Sequence, residues 1–132
     1  MPIDPSSFDQ NEAWILFRLN GAPIRTEADG DFNAMAIMEV TSGMIFGMEL
    51  VPIAHKEISE LQARKLLNSS ANQAGGRPVS LFIATEEQAA QISTAAETMK
   101  IEVKRVAASD FSEITKEARD GFANHVSCGS AP

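Results

Sequence analysis

Sulfhydryl chemistry is nearly absent from this 132-residue chain: there is one cysteine, Cys128. A lone cysteine closes no internal disulfide, so nothing points to an oxidising compartment. Cations are also in short supply, with eleven Lys and Arg against eighteen Asp and Glu and a net charge of −7. Duplex nucleic acid and anionic membrane surfaces are recognised through clustered Lys and Arg, so both are disfavoured as partners. No apolar run approaches the ~20 residues that span a bilayer. The opening "MPIDPSSFDQNE" is polar and acidic, whereas a secretory leader starts with a basic segment followed by an apolar one. The expectation is an acidic, cytoplasmic domain of bacterial type.

The remaining composition, 44% hydrophobic and 22% charged, is that of an ordinary globular protein. Residues 1–12 read as an irregular arm, 13–126 as one α/β domain and 127–132 as a tail. "WILFRL" (14–19) is a strand, apolar on both faces except at Arg18. The turn-rich "NGAPIRTEADGD" follows, then the strands "NAMAIMEV" and "MIFGMELV" around Thr41-Ser42-Gly43, where a glycine suits the left-handed end of a three-residue hairpin loop. A helix over 55–74 stops at Gly75-Gly76. A fourth strand, Val79 to Ala84, leads into a second helix over 86–99, and a fifth strand covers 101–107. The last helix, about 111–125, carries the apolar stripe Phe111, Ile114, Ala118, Phe122 and His125. Right-handed crossovers put the first two helices on one face of the sheet and the third on the other.

This β-β-β-α-β-α-β-α order, with a mixed five-stranded sheet of order 3-2-1-4-5 and helices on both faces, resembles the ribonuclease-H-like fold. "VTSGMIFGMEL" followed by a helix and "GGRPVSLFIAT" is similar to the integrase and transposase core. That family has an acid before a "TSG"-like turn and a later strand ending in aspartate. The W-strand, hairpin and "RP" pattern is also similar to an uncharacterised bacterial domain family with no assigned activity. The resemblance implies metal-dependent phosphodiester cleavage or strand transfer, with Glu39 and the pair Glu86 and Glu87 as candidate catalytic residues.

The residues weigh against that activity. Two-metal chemistry needs carboxylates converging on ions ~3.5–4 Å apart. Glu39 occupies the first acidic position, but Ala84 or Thr85 stands where the later aspartate belongs, and "WILFRL" carries no acid. Pairing across the hairpin loop sets Glu39 opposite Ile45, so Glu49 is about 13 Å away along the strands. Thr85-Glu86-Glu87-Gln88 has an adequate structural reading as a capping box with acids in the first helical turn, and Asp110 with Glu113 repeats it at the third helix. His125 sits on an apolar stripe without a second ligand at metal spacing, His55 is isolated before a helix, and Cys128 has no histidine in register. The expected catalytic, metal and cofactor sets are therefore empty.

Less ordinary is the hairpin, with Met35, Met38, Met44 and Met48 and apolar residues on both faces. Methionines fill cores, and they also suit adaptable partner surfaces. The functional expectation is a non-catalytic interaction or scaffold domain that self-associates as a homodimer through this hairpin and sheet face. A protein partner is the variant of that reading, and a small-molecule binder a third.

Overall fold

The computed structural model describes residues 3–20, 24–26, 30–55 and 57–129, with the backbone alone for 24–26 and 123–129. Its elements are β1 (Ala13–Arg18), β2 (Ile24–Thr26), β3 (Gly30–Glu39), β4 (Ile45–Pro52), α1 (Glu60–Ala74), β5 (Ser80–Ala84), α2 (Ala90–Thr98), β6 (Glu102–Val106) and α3 (Ser112–Gly129). The main sheet runs β4-β3-β1-β5-β6. β3 is antiparallel to β1 and β4, and β5 is parallel to β1 and β6. This is the expected mixed five-stranded order.

The sheet has one strand more than expected. β2 lies in the segment read as turn and pairs with Gly30 to Phe32 of β3. β4 already holds one edge of β3 at Phe32, so β2 continues the edge that β1 occupies further along. Three residues are too few to show a period of two.

Alternation along the central strands divides the core. Trp14 and Leu16 of β1 join Ile37, Leu81 and Ile83 under α1 and α2, whose Ala63, Leu66, Leu67, Ile92 and Ala96 are all within 1% of full burial. Ile15 and Phe17 join Ala36, Met38 and Phe82 on the opposite face, covered by Phe111, Ile114, Ala118 and Phe122. A strand buried on both faces reads as a continuous apolar run, which accounts for "WILFRL". The helices occupy the faces that right-handed crossovers require. The N-terminal arm belongs to the second face: Phe8 meets Phe82 edge to face, with ring centres 5.8 Å apart, and the Ile3 N–H donates to the Asp110 carbonyl at 2.7 Å.

Three local features depart from the expected reading. The hairpin register holds from Met35↔Glu49 to Ile37↔Gly47, then slips, so that Met38 faces Ile45. The extra residue is Phe46, a β-bulge. It turns Phe46 away from the face of Met48 and onto Trp14, 5.7 Å between ring centres. Gly47 then approaches α1 so closely that a Cβ there would stand 2.9 Å from Ser70 Oγ and 3.0 Å from Leu66 Cδ1.

The second departure is at α1, which starts at Glu60, later than expected. Ser59 and Gln62 form a reciprocal capping box, and Ile58 is buried just ahead of it in the position of a hydrophobic staple to Ala63. At its far end Gly75, with φ 84°, closes the helix as the glycine pair predicts. The third concerns α2 and α3. α2 begins at Ala90 with no side-chain cap, so Thr85 and Gln88 form no capping box. α3 runs to Gly129, past the expected end at His125.

Candidate functional site

Glu39, the last residue of β3, is 5% exposed and opposite Trp14. Its carboxylate accepts from the Asn11 backbone N–H and from the Ser42 hydroxyl. Asn11 adopts a left-handed φ of 60°. Its amide oxygen accepts from Trp14 Nε1 at 2.7 Å, and its Nδ2 donates to the Gly76 carbonyl at 3.0 Å. Thr41 adds a hydrogen bond to the Asp9 carbonyl at 3.0 Å. A buried carboxylate is tolerated only when its oxygens find donors, and Glu39 finds them in the arm and the hairpin loop. The role its surroundings define is that of an anchor joining the arm, the hairpin and the loop after α1.

Glu86 and Glu87 follow β5 at the other end of the sheet. Glu39 faces Trp14, which pairs with Leu81, and Ala84 lies three residues further on, about 10 Å along the strand. The three candidate acids are therefore not brought together. Glu86 accepts from the Thr85 hydroxyl and from the Ala108 N–H. These two donors, the hydroxyl first, hold its pKa below the ordinary glutamate value. Glu87 pairs with Arg18 at 3.2 Å.

Among the described residues no group of three or more His, Cys, Asp and Glu is placed to hold a metal ion, and no helix is long and apolar enough to cross a membrane. His55 is exposed in the turn after β4. The side chains of His125 and Cys128 lie outside the described residues. Gly75-Gly76-Arg77-Pro78 is a helix stop, with Arg77 donating to the Met99 carbonyl. Asp110 precedes α3 by two residues and Glu113 lies in its first turn.

The structure instead forms a cleft of about 240 Å³ at the carboxyl ends of β1 and β5, beneath the start of α3. Phe17, Ala84 and Phe111 form its floor; Arg18, Glu87 and Arg119 stand around it. Arg105 secures the wall by donating to the carbonyls of Ala84 and Glu87 at 2.8 and 3.0 Å. Open α/β sheets bind ligands at this end of their parallel strands. The sequence carries no signal for these arginines: Arg18 reads only as the polar exception in an apolar strand, and nothing local links it to Arg119, 101 positions later.

A mixed sheet of this order, with a meander leading into parallel strands and helices on both faces, defines the ribonuclease-H-like, integrase-core class of fold. Solved structures agree. A chain of the simian T-cell lymphotropic virus intasome, in complex with PP2A regulatory subunit B56 gamma, superposes with a TM-score of 0.61 at 11% identity over 92% of this chain. The match covers 44% of that intasome chain, so this protein spans less than half its length. The catalytic core domain of BIV integrase gives 0.58 at 12% identity, covering 92% of this chain and 74% of that one. The HTLV-2 integrase catalytic core domain in complex with magnesium gives 0.53 at 10%, covering 92% and 76%. No curated protein matches the sequence. Residues 11–122 match the family Domain of unknown function (DUF6930), and the chain belongs to it.

Proposed function

We propose that this chain is a non-catalytic interaction domain on an integrase-core fold, and that it self-associates through the edge strand β4. The observation that carries the reading is the contrast between the two sheet edges. β6 presents Glu102, Lys104 and Arg105, the charged residues with which proteins blunt exposed edges. β4 and its flanks instead expose Met44, Ile45, Met48, Leu50 and Ile53, each between 39% and 55% accessible. Met48 and Leu50 alternate with Gly47 and Glu49, so they lie on the face that α3 covers further along the sheet. The methionines divide accordingly: Met35 and Met38 are buried in the core, while Met44 and Met48 are at the surface.

An apolar, unblunted edge is self-complementary when two copies meet antiparallel across a two-fold axis. A stable contact of that kind buries about 800 Å² per partner. Sedimentation velocity across micromolar concentrations tests the reading: the protein dimerises, and Met48→Lys with Leu50→Lys leaves it monomeric. A wild-type chain that stays monomeric at high micromolar concentration overturns it.

The alternative, a metal-dependent phosphodiester enzyme using Glu39, Glu86 and Glu87, has only the fold in its favour, and fold does not carry function. Metal-dependent cleavage of nucleic acid that disappears in Glu39→Ala would put it first.

A further inference from the structure

The geometry points to the cleft between β1, β5 and α3 as a binding site for a small organic carboxylate with an apolar body. The inference does not depend on self-association, since the cleft and the β4 edge share no residues. The first argument is electrostatic. In a chain of net charge −7, the side chains around this cleft include two guanidinium groups and one carboxylate, Arg18, Arg119 and Glu87. Glu113 is in the first turn of α3 but exposed, and it does not line the cleft.

The second argument is the way Arg119 is held. Its Nε donates to Thr115 Oγ1 at 3.2 Å and its Nη2 to the Ser112 carbonyl at 2.7 Å. Thr115 is itself 2% exposed. The fork is thus bent back over the first turn of its own helix, where the positive end of the helix dipole disfavours a cation. Two of the five guanidinium N–H groups are engaged among the described residues, and three have no partner there. The acid next to it in sequence is Asp120, whose carboxylate feels Arg119 but is paired directly to Lys116 at 2.7 Å. A bound anion supplies a counter-charge in direct contact, and a planar carboxylate matches the fork in a way that a point charge does not. Arg18 is engaged by Glu87 through a single contact at 3.2 Å, so it can add a donor from the opposite side.

The third argument is the floor. Phe17, Ala84 and Phe111 are 4–8% exposed and offer no hydrogen-bonding side chain, so the ligand's inner part is apolar. The cleft's 240 Å³ corresponds to about eight water volumes, which suits a single ring or a short alkyl chain on its floor.

The test is an NMR titration of the full chain with benzoate, with benzamide as the neutral isostere and inorganic phosphate as the anion lacking an apolar body. Benzoate is expected to give saturable shifts in the millimolar range or below, concentrated on the amides of Phe111 and Ser112 and the methyl of Ala84. Benzamide and phosphate should bind at least about tenfold more weakly. Arg119→Met should weaken benzoate by a similar factor. Glu87→Gln should strengthen it severalfold, because it removes a repelling carboxylate and releases Arg18. Absence of saturable shifts, equal binding of benzoate and benzamide, or unchanged affinity in Glu87→Gln overturns the proposal. The wild-type comparison of the two isosteres decides the matter even if Arg119→Met does not fold.

Discussion

Replacing Gly47 with alanine is the sharpest test of how β4 is seated. A Cβ at this position would meet Ser70 Oγ at 2.9 Å, Leu66 Cδ1 at 3.0 Å and Ser69 Oγ at 3.4 Å, inside the ~3.5–4.0 Å at which carbon atoms pack comfortably. Neither close neighbour has somewhere to go: Ser70 is fully buried and Leu66 is 1% exposed. Overpacking of this kind costs about 1–3 kcal/mol, and the gain from removing a flexible glycine from a strand returns about 0.5–1 kcal/mol. The net expectation is a loss of about 0–2.5 kcal/mol, read by urea denaturation with an unchanged m value.

Ser70 makes the test decisive. Its hydroxyl is buried and has no hydrogen-bond partner among the described residues, so Ser70→Ala alone should be neutral or stabilising. In the Gly47→Ala background the same change removes the closest contact, and the two substitutions should couple by at least about 0.5 kcal/mol. A Gly47→Ala protein clearly more stable than the wild type, or strict additivity with Ser70→Ala, refutes the tight seating of β4 on α1.

Glu39→Gln places an amide where a buried carboxylate accepts from Asn11 and Ser42. A loss of about 1–3 kcal/mol is expected, with faster amide exchange across residues 8–12, and unchanged stability would remove Glu39 from its anchoring role. Phe111, 4% exposed, should lose about 3–5 kcal/mol on truncation to alanine. Phe122, only partly buried on the same face, should lose clearly less, and the reverse order in thermal melts would mean that α3 docks differently. The Glu86 pKa is lowered in the folded chain by the Thr85 hydroxyl and the Ala108 N–H, so its stabilising contribution is present above the ordinary glutamate pKa and disappears as pH falls through the folded value. Glu86→Gln should therefore flatten the stability profile in that acidic window, and identical slopes for the two proteins would contradict the assignment.

Much of the architecture was legible because the central strands carry their environment in their composition. β1 is apolar at every position but Arg18, as a strand buried on both faces must be, and the glycines at 43 and 75 mark where the hairpin turns and α1 stops. The bulge was not legible. It depends on Phe46 fitting against Trp14 and on Gly47 having no side chain to hold it off α1, which are matters of tertiary contact. Capping was ambiguous for a related reason. Ser59-x-x-Gln62 and Thr85-x-x-Gln88 share one pattern, yet only the first caps a helix. After β5 the chain makes a tight turn, with the Glu87 N–H donating to the Ala84 carbonyl, and the helix starts five residues past Thr85. The candidate site fared similarly. Glu39 reads from sequence as the acid at the integrase-like first position, but one of its partners, Asn11, comes from the arm, where sequence spacing says nothing, and the cleft is assembled from residues in three distant elements.

The hydrogen bond between Ile3 and Asp110 gives the domain a late closing step. Beyond the hairpin contacts of residues 8–11, the arm meets Phe82 and the turn ahead of α3, elements that follow it by about 75 to 110 positions. Contacts of such sequence separation are entropically costly to close and form slowly. During synthesis the arm would have to wait until the turn ahead of α3 had been made before completing these contacts. Until the arm docks, Phe8 and the face of Phe82 that it covers remain open to water. Pulse-labelling hydrogen exchange during refolding should accordingly find residues 3–8 protected in the last phase, after the β3–β4 hairpin and α1.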